Sequence, residues 1–150
     1  MKKILIKLLI LSSCFISSSA FPAVGFNEIA GKWKLMYKNN CGYEFLFQKN
    51  YRAYCILYSG TNALIFKGIY SIEGDKIRIN INEMKNEEKV SSIDLRNRFI
   101  KTSSSYFIFQ VEFPAEKNSN KTLILKSLKT VIDGNDSDGY FEPEVSLRKY

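Results

Sequence analysis

Apolar and polar side chains alternate with a period of two along most of this sequence after residue 30. The clearest case is KIRININ at 76–82, which has isoleucine at every second position and charged or amide residues between. Successive side chains of a strand point to opposite faces of a sheet, so this pattern is typical of a half-buried β-strand. Eight or nine such segments follow one another across short turns. The sequence therefore predicts an all-β fold, a single antiparallel meander closed into a small eight- or nine-stranded barrel, because closure removes exposed sheet edges.

Two segments are predicted to depart from this pattern. FNEIAG at 26–31 is predicted to form one helical turn, and the charged stretch EMKNEEK at 83–89 is predicted to be a loop.

Aromatic side chains dominate the predicted inner face of the barrel. The chain has 11 Phe, 9 Tyr and one Trp, and such rings pack well on a pleated, half-buried surface. The predicted inward rings, which are the candidate ligand-binding residues, are Tyr37, Phe45, Phe47, Phe66, Tyr70, Phe107 and Phe109. An eight-stranded barrel is just wide enough for its own side chains or one small ligand. The rings therefore either line a narrow apolar pocket or fill the interior.

The chain contains no histidine. This excludes Ser-His-Asp and Cys-His catalysis and removes the usual general base and zinc ligand. Glu142 and Glu144 lie two apart on one predicted strand face, without the opposed geometry that glycoside hydrolysis needs. DGNDSDG at 133–139 does not keep the register of a calcium loop. We therefore expect no enzyme activity, no catalytic residue, no metal and no cofactor.

The N-terminus has the layout of a secretory signal peptide. Two lysines precede an apolar stretch and a run of small residues, with predicted cleavage after Ala20. The predicted organisation is a signal peptide at 1–20 and a barrel domain at 21–150, in the periplasm or secreted. In the alternative, LSSC at 11–14 is a lipobox, the signal is 1–13, and lipidated Cys14 anchors an outer-membrane lipoprotein. Membrane association is expected only in that alternative.

Two further cysteines, Cys41 and Cys55, lie in the predicted exported domain. Oxidising compartments favour disulfides, so we expect a bridge between them. The alternative is a pair of buried free thiols.

Charge is unevenly distributed along the chain. The sequence has 22 basic and 15 acidic residues, yet the segment 133–144 contains five acids and no base. These acids form a candidate partner loop: Asp133, Asp136, Asp138, Glu142 and Glu144. No basic run exceeds two residues, so a nucleic-acid partner is not expected.

Two motifs resemble the lipocalin-like (calycin) barrels. Gly31-x-Trp33 on the first predicted strand is similar to their G-x-W signature, and GIYSIEGDKIRI at 68–79 is similar to a second strand-turn-strand motif of small bacterial members. The resemblance covers residues 26–82; a T-D-Y-like loop of the animal lipocalins is absent. It implies that Trp33 is a structural plug at one barrel end and that Arg148, in the last strand, packs across its ring.

The resemblance also implies a function. Most lipocalin-like barrels bind small apolar molecules, and some are filled and act through their surface. We expect an exported envelope barrel that binds a small hydrophobic ligand without catalysis. The alternative is a ligand-free barrel that acts by protein–protein contact, as an inhibitor or as a binder of a host or envelope protein.

Overall fold

The structure is a computed structural model and describes residues 23–115 and 121–150. Its elements are a four-residue helix α1 (Phe26–Ile29), nine strands and two 3₁₀ turns, Lys38–Asn40 and Val90–Ser92. The strands are β1 (Gly31–Met36), β2 (Gly42–Phe47), β3 (Arg52–Ser59), β4 (Asn62–Glu73), β5 (Lys76–Glu87), β6 (Ile100–Glu112), β7 (Thr122–Ile132), β8 (Asn135–Asp136) and β9 (Glu144–Lys149). The predicted signal peptide and Cys14 lie outside the described residues.

The strands form one closed antiparallel sheet. Each strand from β1 to β7 pairs with the next, β7 also pairs with β9, and β9 returns to pair with β1. Eight strands therefore close the barrel, and the two-residue β8 adds to the end of β7. This confirms the predicted all-β meander barrel. The helical turn predicted at 26–31 is α1.

Register shifts in three strand pairs curve the sheet. The shift between β4 and β5 lies at Gly68 and leaves Asn82 as an extra residue on β5. A bulge reverses which face the following side chains occupy. The predicted loop at 83–89 is therefore wrong, since β5 continues to Glu87. After the bulge Met84 pairs with Phe66 on the inner face, and Lys85 pairs with Ile65 on the outer face.

A second apolar cluster lies on the outside of β3 and β4. It contains Tyr54, Ile56, Tyr58, Ala63 and Ile65, and residues of the loop between β5 and β6 pack over it. Buried Lys85 holds this loop: its Nζ donates to the carbonyl oxygens of Asp94 and Asn97 and pairs with Glu87 at 3.2 Å. The outer face of this part of the barrel is thus covered by its own chain.

The two ends of the barrel differ in how they are covered. At the helix end, α1 precedes β1 and lies beside the β2–β3 and β4–β5 turns. At the opposite end, which we call the mouth, lie the first 3₁₀ turn and the loop 133–143 between β7 and β9. None of the helices in the described ranges is long and apolar enough to cross a membrane.

The expected disulfide is wrong, because Cys41 and Cys55 are both free thiols. Cys55 pairs with Phe45 on β2, four residues after Cys41. A strand rises about 3.3 Å per residue, so the two cysteines lie on the order of 13 Å apart along the sheet. A disulfide needs α-carbons within about 7 Å. Burial raises the pKa of the Cys55 thiol, which stays protonated in the core.

Candidate functional site: the barrel interior and its ends

Trp33 closes the helix end of the interior. It is completely buried, and its indole Nε1 donates to the carbonyl oxygen of Ile29 at 2.7 Å. Alternation along β1 turns Trp33 inward between two lysines, and α1 brings Ile29 over the same end. Phe113 packs against the indole at a centroid distance of 6.0 Å. The indole is therefore enclosed on the side that would otherwise open the barrel.

Lys149, not Arg148, lies across the indole. The Lys149 ammonium is 5.1 Å from the centroid of the Trp33 ring and donates to the carbonyl oxygen of Ala30 at 2.9 Å. The expectation that Arg148 packs there is wrong by one residue. Lys149 pairs with Trp33 across β1 and β9, so their side chains share the inner face, whereas Arg148 pairs with Lys34 and is exposed.

Six of the seven predicted inward rings meet inside the barrel. At most 1% of the surface of each is accessible; they are Phe45, Phe47, Phe66, Tyr70, Phe107 and Phe109. A void large enough for a water molecule would leave part of the neighbouring ring surface accessible, so these rings border no such void. Neighbouring rings pack edge to face, with centroid distances of 5.0 Å for Phe66–Phe107 and 5.7 Å for Phe45–Phe109. The rings fill the space that a ligand would occupy.

Phe141 completes this packing from the mouth. Its ring centroid lies 5.0 Å from those of Phe107 and Phe109 and 5.9 Å from those of Phe45 and Tyr43. It is 5% exposed although it belongs to the loop 133–143 and not to a strand. Phe141 was not among the predicted inward rings, since a lone phenylalanine within an acidic loop has no strand periodicity. The only signal was a large apolar residue in an otherwise polar segment.

Tyr37 does not point inward, and its expected place among the interior rings is wrong. β1 ends at Met36, so the alternation of the strand no longer sets the direction of Tyr37. Its side chain is 45% exposed, and its hydroxyl donates to Glu142 Oε2 at 2.8 Å. This hydrogen bond is the main cause of the raised pKa of Tyr37. Tyr37 thus ties the loop to the mouth instead of lining a pocket.

Tyr70 lies at the opposite, helix end of the ring cluster. Its hydroxyl donates to the carbonyl oxygen of Gln48 at 3.0 Å, which gives its one polar atom a partner inside the core. Burial, followed by the neighbouring Tyr51, raises the pKa of Tyr70 to about 12.

The five acids of the candidate partner loop have different roles. Asp133 is structural, since its Oδ1 accepts from the backbone N–H of Ser103 at 3.1 Å. Asp136 pairs with Lys129 at 2.6 Å, and Glu144 lies 3.9 Å from Lys126. Glu142 holds Tyr37, and Asp138 has no direct partner among the described residues.

Exposed side chains of mixed character surround the closed mouth. Tyr37, Tyr140 and Met36 are 45%, 40% and 39% exposed, and Asp138 and Glu142 lie in the same loop as Tyr140. We call these five residues the mouth surface. It combines aromatic and sulfur side chains with two carboxylates on a chain that is basic overall.

Two open grooves lie at the helix end, on either side of Ala23 and Val24. One, of about 390 Å³, includes Phe113 and Pro114, and the other, of about 370 Å³, includes Phe26 and Tyr51. Both are outside the ring cluster. Within residues 23–115 and 121–150, no group of three carboxylate or thiol residues is placed to hold a metal ion.

No protein-family model, curated protein or solved structure matches this chain.

Proposed function

We propose that this protein is an exported, ligand-free barrel that acts by contact with another protein. The observation that carries the proposal is the packed interior: the six strand-borne rings are at most 1% accessible, and Trp33 and Phe141 close the two ends. A barrel that carried a small apolar molecule in this state would need an unfilled volume among those rings. The lipocalin-like family that the sequence resembles includes filled barrels that act through their surface.

The mouth surface is the contact region that the described residues support best. Tyrosine and methionine are enriched in protein interfaces, where they contribute large contact areas. Tyr37 and Tyr140 are exposed here beside Glu142 and Asp138. Carboxylates at this position would steer a partner with basic residues toward the mouth. An inhibited enzyme or an envelope or host protein with a basic surface is the expected partner class.

A variant that neutralises two acids of the loop tests this contact, since Asp138 belongs to the mouth surface and Asp136 lies two residues before it in the same loop. Asp136→Asn/Asp138→Asn leaves Asp133 and Glu142, which hold the loop, in place. We expect it to lower capture of the partner in a cross-linked pull-down from the native envelope by about tenfold, as expected for loss of two steering charges. Because the ion pair of Asp136 with Lys129 is exposed, stability should change by less than about 1 kcal/mol.

The matched control is Glu73→Gln/Glu88→Gln, which removes two exposed acids elsewhere. The proposal requires that this control captures the same partner as the unaltered protein. Equal capture by both variants would show that the loop is only a solvated connection.

A small hydrophobic ligand is the second candidate function. The observation that favours it is the origin of Phe141, which reaches the ring cluster from a loop and not from a strand. A loop can leave while the barrel stays closed, and the vacated volume would be lined by Phe45, Phe107 and Phe109. A flat apolar molecule would then replace the Phe141 ring. In this function the ligand displaces a plug instead of entering an existing pocket.

A further inference from the structure

The barrel closes where β1 meets β9, and this seam is strongly basic on its outer side. The register pairs only Trp33 with Lys149 and Lys34 with Arg148. Alternation places Lys32 and Lys34 of β1 and Arg148 of β9 on the outer face. We call these three residues the seam patch.

Like charges face each other directly across the seam. Lys34 and Arg148 are cross-strand partners, an arrangement that destabilises an antiparallel pair. Within the ranges that the structure describes, neither Arg148 nor Lys32 forms an ion pair, and Arg148 is exposed. The two-residue pairing of β1 with β9, which closes the barrel, therefore contains a repulsive contact between two cations.

Glu44 is the acid that pairs with the seam patch in the described ranges, and several groups share it. Glu44 on β2 lies 3.5 Å from the Lys34 ammonium, and its side chain is only 14% exposed. Its two carboxylate oxygens also accept hydrogen bonds from the hydroxyl groups of Tyr58 and Tyr150. Glu44 therefore offsets Lys34, and it forms no ion pair with Lys32 or Arg148.

Aromatic rings hold the two lysines in place. The Lys34 ammonium lies 5.1 Å from the Tyr58 ring centroid and 5.7 Å from that of Tyr150, and the Lys32 ammonium lies 5.8 Å from Tyr150. Burial and the hydrogen bonds to Glu44 raise the pKa values of both tyrosines, so the rings stay neutral. Such contacts restrain flexible lysine side chains and reduce the entropy that binding an anion costs.

The geometry of the seam patch suits an extended ligand with several anionic groups. Side chains two apart on a strand are separated by about 7 Å, and those on adjacent strands by about 5 Å. Successive oxyanions of a polymer can therefore contact different members of the patch. A bilayer would be expected to take several apolar anchors as well as charges, whereas Tyr150 is the one exposed ring that contacts the two lysines in the described ranges. No basic run marks this site in the sequence, since three cations from two distant strands form it.

We propose that the seam patch binds a soluble polyanion through its phosphate or sulfate groups. This inference is independent of the protein contact proposed above, which uses the mouth surface at one end of the barrel. The shared chemistry is a repeated oxyanion. Heparin, which carries sulfate, and long-chain inorganic polyphosphate are the two probes that distinguish the sources.

The test compares binding of these probes by the full mature chain and by Lys32→Gln/Lys34→Gln/Arg148→Gln. We expect the variant to lose at least about tenfold in affinity for the bound probe near 0.15 M salt. The slope of log K against log salt is negative, and its magnitude should decrease by about two to three. Each cation removed from the protein means that about one counterion fewer is released on binding. Affinity measured by titration calorimetry at three salt concentrations gives both quantities.

The control Lys49→Gln/Arg96→Gln/Lys101→Gln removes three exposed cations away from the seam, so both variants have the same net charge. Binding that falls equally in the two variants, or no binding of either polymer by the unaltered protein, overturns the proposal. So does binding to phosphatidylglycerol vesicles with no binding to either polymer, which would indicate a lipid surface.

The single variant Arg148→Gln keeps the test valid if the triple variant does not fold, because Arg148 forms no ion pair within the described ranges. It should lose about threefold in affinity and about one in salt slope. Unchanged affinity in this folded variant overturns the proposal. Asp136→Asn/Asp138→Asn should still bind the polyanion, so failure of the mouth contact and failure of the seam patch are separate results.

Discussion

Replacement of Gly68 by alanine is expected to lower the free energy of unfolding by about 3 kcal/mol, at the upper end of the usual cost of overpacking. A Cβ atom at this position would lie 2.0 Å from the carbonyl oxygen of Asn80 and 3.0 Å from the α-carbon of Ile81. Both neighbours are backbone atoms of β5, so a side-chain rotation cannot relieve the contact. The strands must separate at the bulge where β4 turns around the barrel.

The measurement is urea denaturation followed by the fluorescence of Trp33, the only tryptophan. Gly60→Ala is the matched control, since a Cβ there meets no atom within 4 Å. It carries only the cost of a positive φ, which is about 1–2 kcal/mol. If Gly68→Ala costs no more than this control, the close approach of β4 and β5 at Gly68 is incorrect.

Replacement of Phe141 by alanine is expected to cost about 3–5 kcal/mol, the usual range for removing a buried phenylalanine ring. The ring is 5% exposed and contacts four other rings, so its removal leaves a cavity at the mouth of the interior. The cavity would be apolar, and such cavities stay dry and accept benzene. Saturating benzene should therefore restore part of the lost stability in this variant.

Tyr140→Ala is the control in the same loop, because Tyr140 is 40% exposed and, among the described residues, its ring packs against one other ring, that of Phe66. It should cost less than about 1.5 kcal/mol, the value of one aromatic pair. Equal destabilisation by the two variants, with no benzene effect in Phe141→Ala, would show that Phe141 does not close the barrel.

The alternation of side chains was sufficient to predict the barrel and most of its inner face. Ile77 and Ile79 on β5, like Phe107 and Phe109 on β6, are fully buried at the predicted positions. This is because a strand with one face in the core allows only one register. Alternation does not predict the direction of a side chain beyond the end of a strand, and Tyr37, which follows β1, turns outward.

Residues that depend on contacts between distant segments were not predictable. Phe141 fills the mouth because loop 133–143 crosses it, and a loop has no period from which to infer burial. Lys149, and not the predicted Arg148, lies at Trp33, because a shift of one residue in the pairing register decides which side chain faces inward. The cysteines look suitably spaced in sequence, yet the register of β2 and β3 places them far apart. The bulge at Asn82 likewise interrupts the alternation of β5, so the sequence pattern of its second half does not indicate a strand.

Native mass spectrometry of the protein, purified gently from its native source, tests most directly whether the interior is filled. A filled barrel should give the bare mass of the chain, with both Cys41 and Cys55 as reduced thiols. Solvent extraction of the same sample should release no apolar molecule in stoichiometric amount. A reproducible additional mass that extracts as one hydrophobic compound would contradict the ligand-free barrel and establish the carrier function with Phe141 displaced.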